Sequence, residues 1–269
     1  MDLETLFHLI ELQPEMIEKL EAAAQTLPPL PKSFPQSLLS RYAADAYSEL
    51  KAALGDDSDS IRMLYCQLTA ACYTWEEYRK KGIPEKIFID TMKCFPRFIG
   101  ECLEKTGNLA FDRGWWTWRQ LSLSLFRIGA LEYEFQTHKG EPVIELHIPS
   151  DGDLSKDAVD ASFREAQKFF QTFYPEYPYE KYTCTSWLLS PALRELLPEN
   201  SRILAFQSRF QDIKADLGDL GFLEWLFQAP ETVRYEDLPE HTSLQKKAKA
   251  LLLSGGSIGA GCGMIPRTF

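Results

Sequence analysis

Apolar residues recur at three- and four-residue steps through the first hundred positions and then give way to alternation, so a helical region precedes one that contains a sheet. Ile61, Leu64, Tyr65, Leu68, Ala71, Cys72 and Trp75 share one helix face, with Ser58 and Ser60 placed to cap it and Gly82 to close it. Pro84 opens a second pattern through Ile87, Phe88, Met92, Phe95, Ile99 and Leu103, which ends at Gly107 and which Pro96 bends or divides. Upstream, residues 2–12, 14–26 and 36–54 are predicted helical, separated by Pro14 and the run Leu27-Pro28-Pro29-Leu30-Pro31. That run has the composition of a polyproline ligand, but its place between two helical patterns favours a stiff connector.

Beyond about residue 120 the period becomes two. Leu131, Tyr133 and Phe135 alternate with Glu132 and Glu134, and Ile144, Leu146 and Ile148 with Glu145 and His147. A two-residue Lys139-Gly140 turn, with Gly taking the positive φ, pairs 138 with 141 and sets the register of the whole hairpin. Leu131, Tyr133 and Phe135 then face Ile148, Leu146 and Ile144 on one side of the sheet. On the other side Glu134 lies opposite Glu145, and Glu132 opposite His147. The second strand ends at Pro149, a polar loop runs from Ser150 to Asp157, and Val159, Phe163, Ala166, Phe170 and Phe173 mark a helix. Lys181 to Trp187 is the next strand, and a strand–helix–strand crossover makes it parallel to the last, so the sheet is mixed. Ser190 and Pro191 begin a short helix through Leu197, and Leu244 to Leu253 reads as another.

Composition narrows the function classes. The chain has 269 residues and a formal charge of −10, with 45% hydrophobic and 25% charged residues, an ordinary globular balance. Acidic residues outnumber basic ones by 17 to 12 up to position 110 and by 22 to 17 beyond it, so neither end is a basic arm and nucleic acid is not expected as a partner. No leader pattern and no stretch of about 18 apolar residues is present, so a cytoplasmic protein without membrane attachment is expected. The six cysteines form no C-x-x-C pair and only four histidines accompany them, so no metal site and no disulfide framework is expected.

Several segments, taken in order, resemble a known family: Asp90-Thr91, Phe111-Asp112-Arg113-Gly114-Trp115-Trp116-Thr117-Trp118-Arg119, Leu125-Phe126-Arg127-Ile128-Gly129-Ala130-Leu131-Glu132-Tyr133-Glu134, Leu146-His147-Ile148-Pro149 and Cys184-Thr185-Ser186-Trp187-Leu188-Leu189. Together they are similar to a bacterial family of acyltransferase-domain proteins with a helical N-terminal domain and a C-terminal domain like the GNAT, or N-acyltransferase, fold. The resemblance implies an α+β / α/β chain: an all-helical domain over residues 1–110 and a GNAT-like mixed β-sheet domain flanked by helices over 111–269. It also implies transfer of an acyl group from acetyl-CoA or another acyl-CoA to the amine of a small-molecule acceptor; acceptor and oligomeric state stay open. The alternative is a non-catalytic binding or regulatory protein that kept the fold.

In GNAT enzymes a splayed strand, the loop after it and the start of the next helix hold coenzyme A, the helix start being a natural anion site. Carried over, this makes Ile148, Ser150, Gly152 and Ser155 the cofactor-binding candidates. The loop departs from the usual Arg/Gln-x-x-Gly-x-Gly/Ala pattern, because Asp151, Asp153, Asp157 and Asp160 stand against Lys156 alone, a local balance that opposes a pyrophosphate.

Glu132 and His147 are the leading catalytic candidates, since a carboxylate beside an imidazole raises its basicity and orients it to take a proton from an attacking amine. The plainer reading, which two directly opposed carboxylates favour, is that Glu132, Glu134, Glu145 and His147 form the solvated face of an amphipathic hairpin. Tyr182 is a candidate acid for the departing thiolate. Cys184 and Ser186 share its face as conceivable nucleophiles, with His147 the nearest base, although a buried structural cysteine is the commoner outcome. Asp151, Asp153, Ser155 and Asp157 imitate the start of a calcium loop, but Lys156 replaces the turn Gly and Ser162 the bidentate Glu. The glycines from Gly255 to Gly263 have no helix after them to complete a phosphate cradle, so a flexible tail or a strand packed close to another backbone is expected. Trp115, Trp116 and Trp118, with Arg113 and Arg119, could stack on an adenine but are expected to be a core staple between the two domains.

Overall fold

A computed structural model describes residues 1–267 of the chain. The chain forms two compact units, Met1–Ile128 and Gly129–Phe269. The first holds helices α1 (Leu3–Leu9), α2 (Pro14–Ala24), α3 (Phe34–Ser37), α4 (Ala43–Leu54), α5 (Ile61–Lys81), α6 (Glu85–Met92), α7 (Cys94–Thr106) and α8 (Gly114–Leu121), and strand β1 (Leu125–Ile128). Residues 111–128 thus lie with the helices, and the chain's contacts divide after Ile128.

Helix α5 is the axis of this unit, buried along Leu64, Leu68 and Ala71 as its periodicity predicts, with α2, α3 and α8 packed on it. Its start differs from the expected serine cap. Ser60 is left-handed, at φ 55°, and makes no side-chain cap; the carboxylate of Asp57 reaches forward to accept the Arg62 and Met63 amides at 3.2 and 2.9 Å. Gly82 ends the helix at φ 70°, as expected. The pattern after Pro84 is divided at Lys93, three residues before Pro96, because a proline is tolerated only in the first turn of the new helix. Residues 27–31 connect α2 to α3.

Helix α8 turns small and polar residues inward. Gly114, Thr117, Gln120 and Leu121 are buried, while Trp115 is exposed and Trp116 and Trp118 are half-buried. The expectation of a tryptophan core staple is therefore corrected. A Cβ at position 114 would come within 3.0 Å of the Met63 side chain, so the contact admits only glycine without repacking. Gln67 on α5 donates to the Gly114 carbonyl at 2.8 Å and accepts from the Thr117 hydroxyl at 2.6 Å, and the Thr74 hydroxyl donates to the Leu121 carbonyl at 2.8 Å. The helix is thus fixed by buried hydrogen bonds rather than by its large rings. Outside, the guanidinium of Arg119 lies 4.2 Å from the Trp116 ring and 4.5 Å from that of Trp118. Thr91, in the Asp90-Thr91 pair, accepts the Arg127 amide at 3.0 Å and ties α6 to β1.

The second unit contains β2 (Leu131–His138), β3 (Glu141–His147), α9 (Lys156–Phe173), β4 (Lys181–Ser186), α10 (Leu193–Leu196), α11 (Arg202–Gln207), β5 (Gln211–Asp216), α12 (Gly221–Phe227), α13 (Ser243–Leu253) and β6 (Ala260–Pro266). Its strands lie in the order β2-β3-β4-β6-β5. The hairpin has the predicted register, Glu132 opposite His147, Glu134 opposite Glu145 and His138 opposite Glu141. Both turn residues are left-handed, Lys139 at φ 54° and Gly140 at φ 86°, so the turn is the type I′ form whose twist matches the strands. Strands β3 and β4 are parallel and β4 and β6 antiparallel, which makes the sheet mixed, as the crossover requires.

One face of this sheet is aromatic. Tyr133, Ile144, Leu146, Tyr182 and Cys184 are buried there, and α9 adds Val159, Phe163, Ala166 and Phe170. The Tyr133 ring meets Phe163, Phe170 and Tyr182 edge to face, at 6.1–6.2 Å between centroids. A second core gathers Leu193, Phe222, Leu223, Phe227, Leu252 and Ile258. The glycine-rich stretch becomes β6, packed close to another backbone: a side chain at Gly259 would collide with the backbone at Asp216, and one at Gly261 with the Leu189 carbonyl. That is the second of the two expected outcomes.

Candidate active site

The polar alternation of the hairpin does not face water. Glu132 and Glu134 are each 3% exposed, and Glu145 and His147 are half-buried. The expected solvated face is thus overturned, and Glu134 and Glu145 each have donors of their own. His147 Nε2 lies 2.8 Å from Glu134 Oε2, and Gln136 donates to Glu134 Oε1 at 2.9 Å. Glu145 accepts the Thr183 hydroxyl through Oε2 and the Thr185 amide through Oε1, the latter at 3.1 Å. Although Glu134 and Glu145 are directly opposed, one points along the hairpin and the other across to β4. Charge-assisted bonds of this kind allow carboxylates to leave water.

The imidazole therefore pairs with the diagonal residue. Glu132 is the cross-strand partner of His147, yet the carboxylate bonded to Nε2 belongs to Glu134, two residues along β2. Diagonal neighbours on one face lie about 7–8 Å apart between Cα atoms, within reach of two long side chains. When Nε2 carries the proton shared with Glu134, the lone pair resides on Nδ1, which is the nitrogen able to accept a proton.

Tyr182 is not brought to this group. It pairs with Ile144, whereas Thr183 pairs with Glu145, so its side chain lies on the aromatic face with Tyr133 and Phe163. Its hydroxyl lies 3.0 Å from that of Tyr179, and burial pushes its pKa far above the usual tyrosine range. Cys184 is fully buried on the same face, and burial likewise pushes its thiol well up. It is a packing residue on the opposite side from His147.

The loop after β3 is held by a tight turn in which the Gly152 amide donates to the Pro149 carbonyl at 2.8 Å; a Cβ on Gly152 would come within 2.9 Å of the Ala130 carbonyl oxygen. Ile148 is half-buried and Ser150 exposed. Ser155 caps α9, accepting the Ala158 amide at 3.4 Å, and its own amide and hydroxyl both donate to Asp153 at 2.8 Å. The acidity of this segment looks different once folded. Arg202 lies 3.4 Å from Asp153 and Arg209 2.6 Å from Asp160, which also takes Lys156 at 2.7 Å. Those hydrogen bonds, from Lys156 and then Arg209, hold Asp160 down to about 2. Two arginines some fifty residues downstream thus offset most of the negative charge read in the loop.

Strands β3 and β4 pair at Ile144↔Tyr182 and Glu145↔Thr183 and then part, while β3 runs on to His147. The end of the ladder lies beside the Glu134–His147 pair, at the end of β3 that leads into the loop and α9. Among the described residues no group of three or more His, Cys, Asp or Glu is arranged to hold a metal ion, and no helix is long and apolar enough to cross a membrane.

Comparison with known proteins gives the same architecture. Residues 1–123 match the N-acyltransferase N-terminal domain and residues 125–265 the GNAT-like C-terminal domain. A solved acyltransferase in complex with decanoyl-CoA superposes with a TM-score of 0.70 at 25% identity, over 98% of this chain and 99% of that one. Another, in complex with decanoyl-CoA and teicoplanin, gives a TM-score of 0.72 at 22% identity, over 99% of each chain. No curated protein matches the sequence. The chain belongs to the family defined by the GNAT-like C-terminal domain, joined here to an N-acyltransferase N-terminal domain.

Proposed function

We propose that this protein moves an acyl group from an acyl-CoA to an amine of a small-molecule acceptor in the cytoplasm, with His147 as the proton acceptor and Glu134 as the residue that orients it. The carrying observation is the 2.8 Å contact between His147 Nε2 and Glu134 Oε2 beside the parting of β3 and β4. In this reaction the amine nitrogen attacks the thioester carbonyl carbon, its proton passes to Nδ1 of His147, and the C–S bond breaks. The imidazolium then returns the proton to the departing thiolate, so the enzyme ends as it began. Glu134 steadies the imidazolium while it carries the charge. Glu132, buried beside the pair, is the reserve base.

The solved relative bound to decanoyl-CoA supports acyl-CoA as donor, and the one that also holds teicoplanin supports a bulky acceptor such as a glycopeptide. The helix start at Ser155, with Arg202 and Arg209 nearby, suits the phosphates of coenzyme A. These arginines also weaken the non-catalytic alternative, which drew its force from the acidity of residues 151–160. Calorimetry with acetyl-CoA and decanoyl-CoA, followed by release of free thiol with a panel of amines that includes a glycopeptide, tests the proposal. Micromolar binding with amine-dependent thiol release is expected. Absence of binding by every acyl-CoA tried would return the protein to the non-catalytic class.

A further inference from the structure

We infer that Glu145 is the spacer that keeps β4 away from β3, and so a positioning residue for the acyl donor; the second half of this inference rests on the acyl-CoA reading above. In a parallel pair the register that joins Ile144 to Tyr182 and Glu145 to Thr183 would continue to residues 147 and 185, with main-chain groups of one strand bonded to the other. Here the pairing stops. The Thr185 amide, which points toward β3, is taken at 3.1 Å by the side chain of Glu145, and the second oxygen of that carboxylate takes the Thr183 hydroxyl. One side chain therefore substitutes for a main-chain acceptor and holds β4 at side-chain distance.

Three observations make this more than an ordinary polar contact. Thr183 is buried, so its hydroxyl needs an acceptor and fixes one end of the carboxylate. Thr185 is exposed although it lies between two strands of a sheet, as expected where the neighbouring strand has moved off. Finally, Glu145 stands directly opposite Glu134, yet its two oxygens turn to donors on β4 whereas Glu134 turns to Gln136 and His147. Glu145 is thereby free of the proton chemistry assigned to the Glu134–His147 pair and acts on the geometry of the cleft alone.

Wild type, Glu145→Gln, Glu145→Leu and Thr183→Val are to be compared in residue-resolved amide exchange and in decanoyl-CoA affinity. Gln can accept from the Thr185 amide and meet the Thr183 hydroxyl, so Glu145→Gln is expected to match wild type within about threefold in both. Glu145→Leu frees β4 to continue the ladder: the Thr185 amide should exchange at least tenfold more slowly, decanoyl-CoA should bind at least tenfold more weakly, and kcat at saturation should stay within threefold. Thr183→Val, a milder change, should move both in the same direction and keeps the test available if the leucine variant does not fold. Unchanged or faster exchange at Thr185 would overturn the spacer. Slower exchange with unchanged affinity would overturn the positioning role, as would a lowered kcat with a displaced pH profile. If wild type binds no acyl-CoA but exchange still slows, the acyl-CoA reading falls and the spacer stands.

Discussion

The two faces of the sheet in the second unit come from the same alternating strands and are both withdrawn from water, but by different physics. On the aromatic face, Tyr133, Leu146, Tyr182 and Cys184 are held by area and shape against Phe163 and Phe170 of α9. On the polar face, Glu134, Glu145 and His147 are held by specific hydrogen bonds, and removing one member leaves a charge without its partner. The difference teaches where stability and chemistry reside: the first face tolerates hydrophobic exchange of similar volume, and the second tolerates only exchanges that keep its hydrogen bonds.

Exchanges on each face should separate these roles. The largest effect is expected from His147→Ala, which should lower kcat/KM for amine acylation by roughly 10²–10⁴-fold, the usual worth of a general base, with a folded protein by circular dichroism. On the other face Phe170→Ala should cost about 3–5 kcal/mol in urea unfolding, the range for a large ring removed from a core, while turnover per folded molecule is retained. Arg209→Ala should weaken coenzyme A severalfold and flatten the salt dependence of binding measured by calorimetry, since it takes a cation from the start of α9. The smallest effect belongs to Asp160. Its carboxyl is depressed below the ordinary 3.8 to about 2, so its contribution to stability is complete above pH 4 and is lost as the pH falls through 2. Asp160→Asn should therefore lower the thermal midpoint slightly at pH 7 and leave it unchanged well below pH 2; the exposure of the pair keeps the difference small.

Much of this comparison is legible in the sequence, because a two-residue Lys-Gly turn and strict alternation leave one register, and the aromatic steps of α9 leave one face to cover. The polar face is harder to read for a physical reason. Alternation reports which side chains share a face, not whether that face is wet, and Glu132 through His147 look the same either way. The diagonal choice of Glu134 over Glu132 depends on side-chain reach, which the pattern does not contain. Arg202 and Arg209 are distant in sequence from Asp153 and Asp160, so the loop reads as far more acidic than the folded surface is. Strand β5, Gln211 to Asp216, is an edge strand with little buried surface and a register shift, and its alternation, Ile213 and Ala215 between charged residues, is too short to reveal it. Helix α8 misleads in the opposite sense: its tryptophans suggest burial, whereas Gly114 and Thr117 make the close contact.

The most direct measurement is kcat/KM for thiol release from decanoyl-CoA in Glu134→Gln beside Glu132→Gln. A glutamine at 134 can donate to Nε2 and drive the proton onto Nδ1, so the imidazole loses the lone pair that accepts from the amine; a loss approaching that of His147→Ala is expected, with Glu132→Gln within about tenfold of wild type. A full loss in Glu132→Gln with Glu134→Gln near wild type would contradict the diagonal pair and return the base to Glu132.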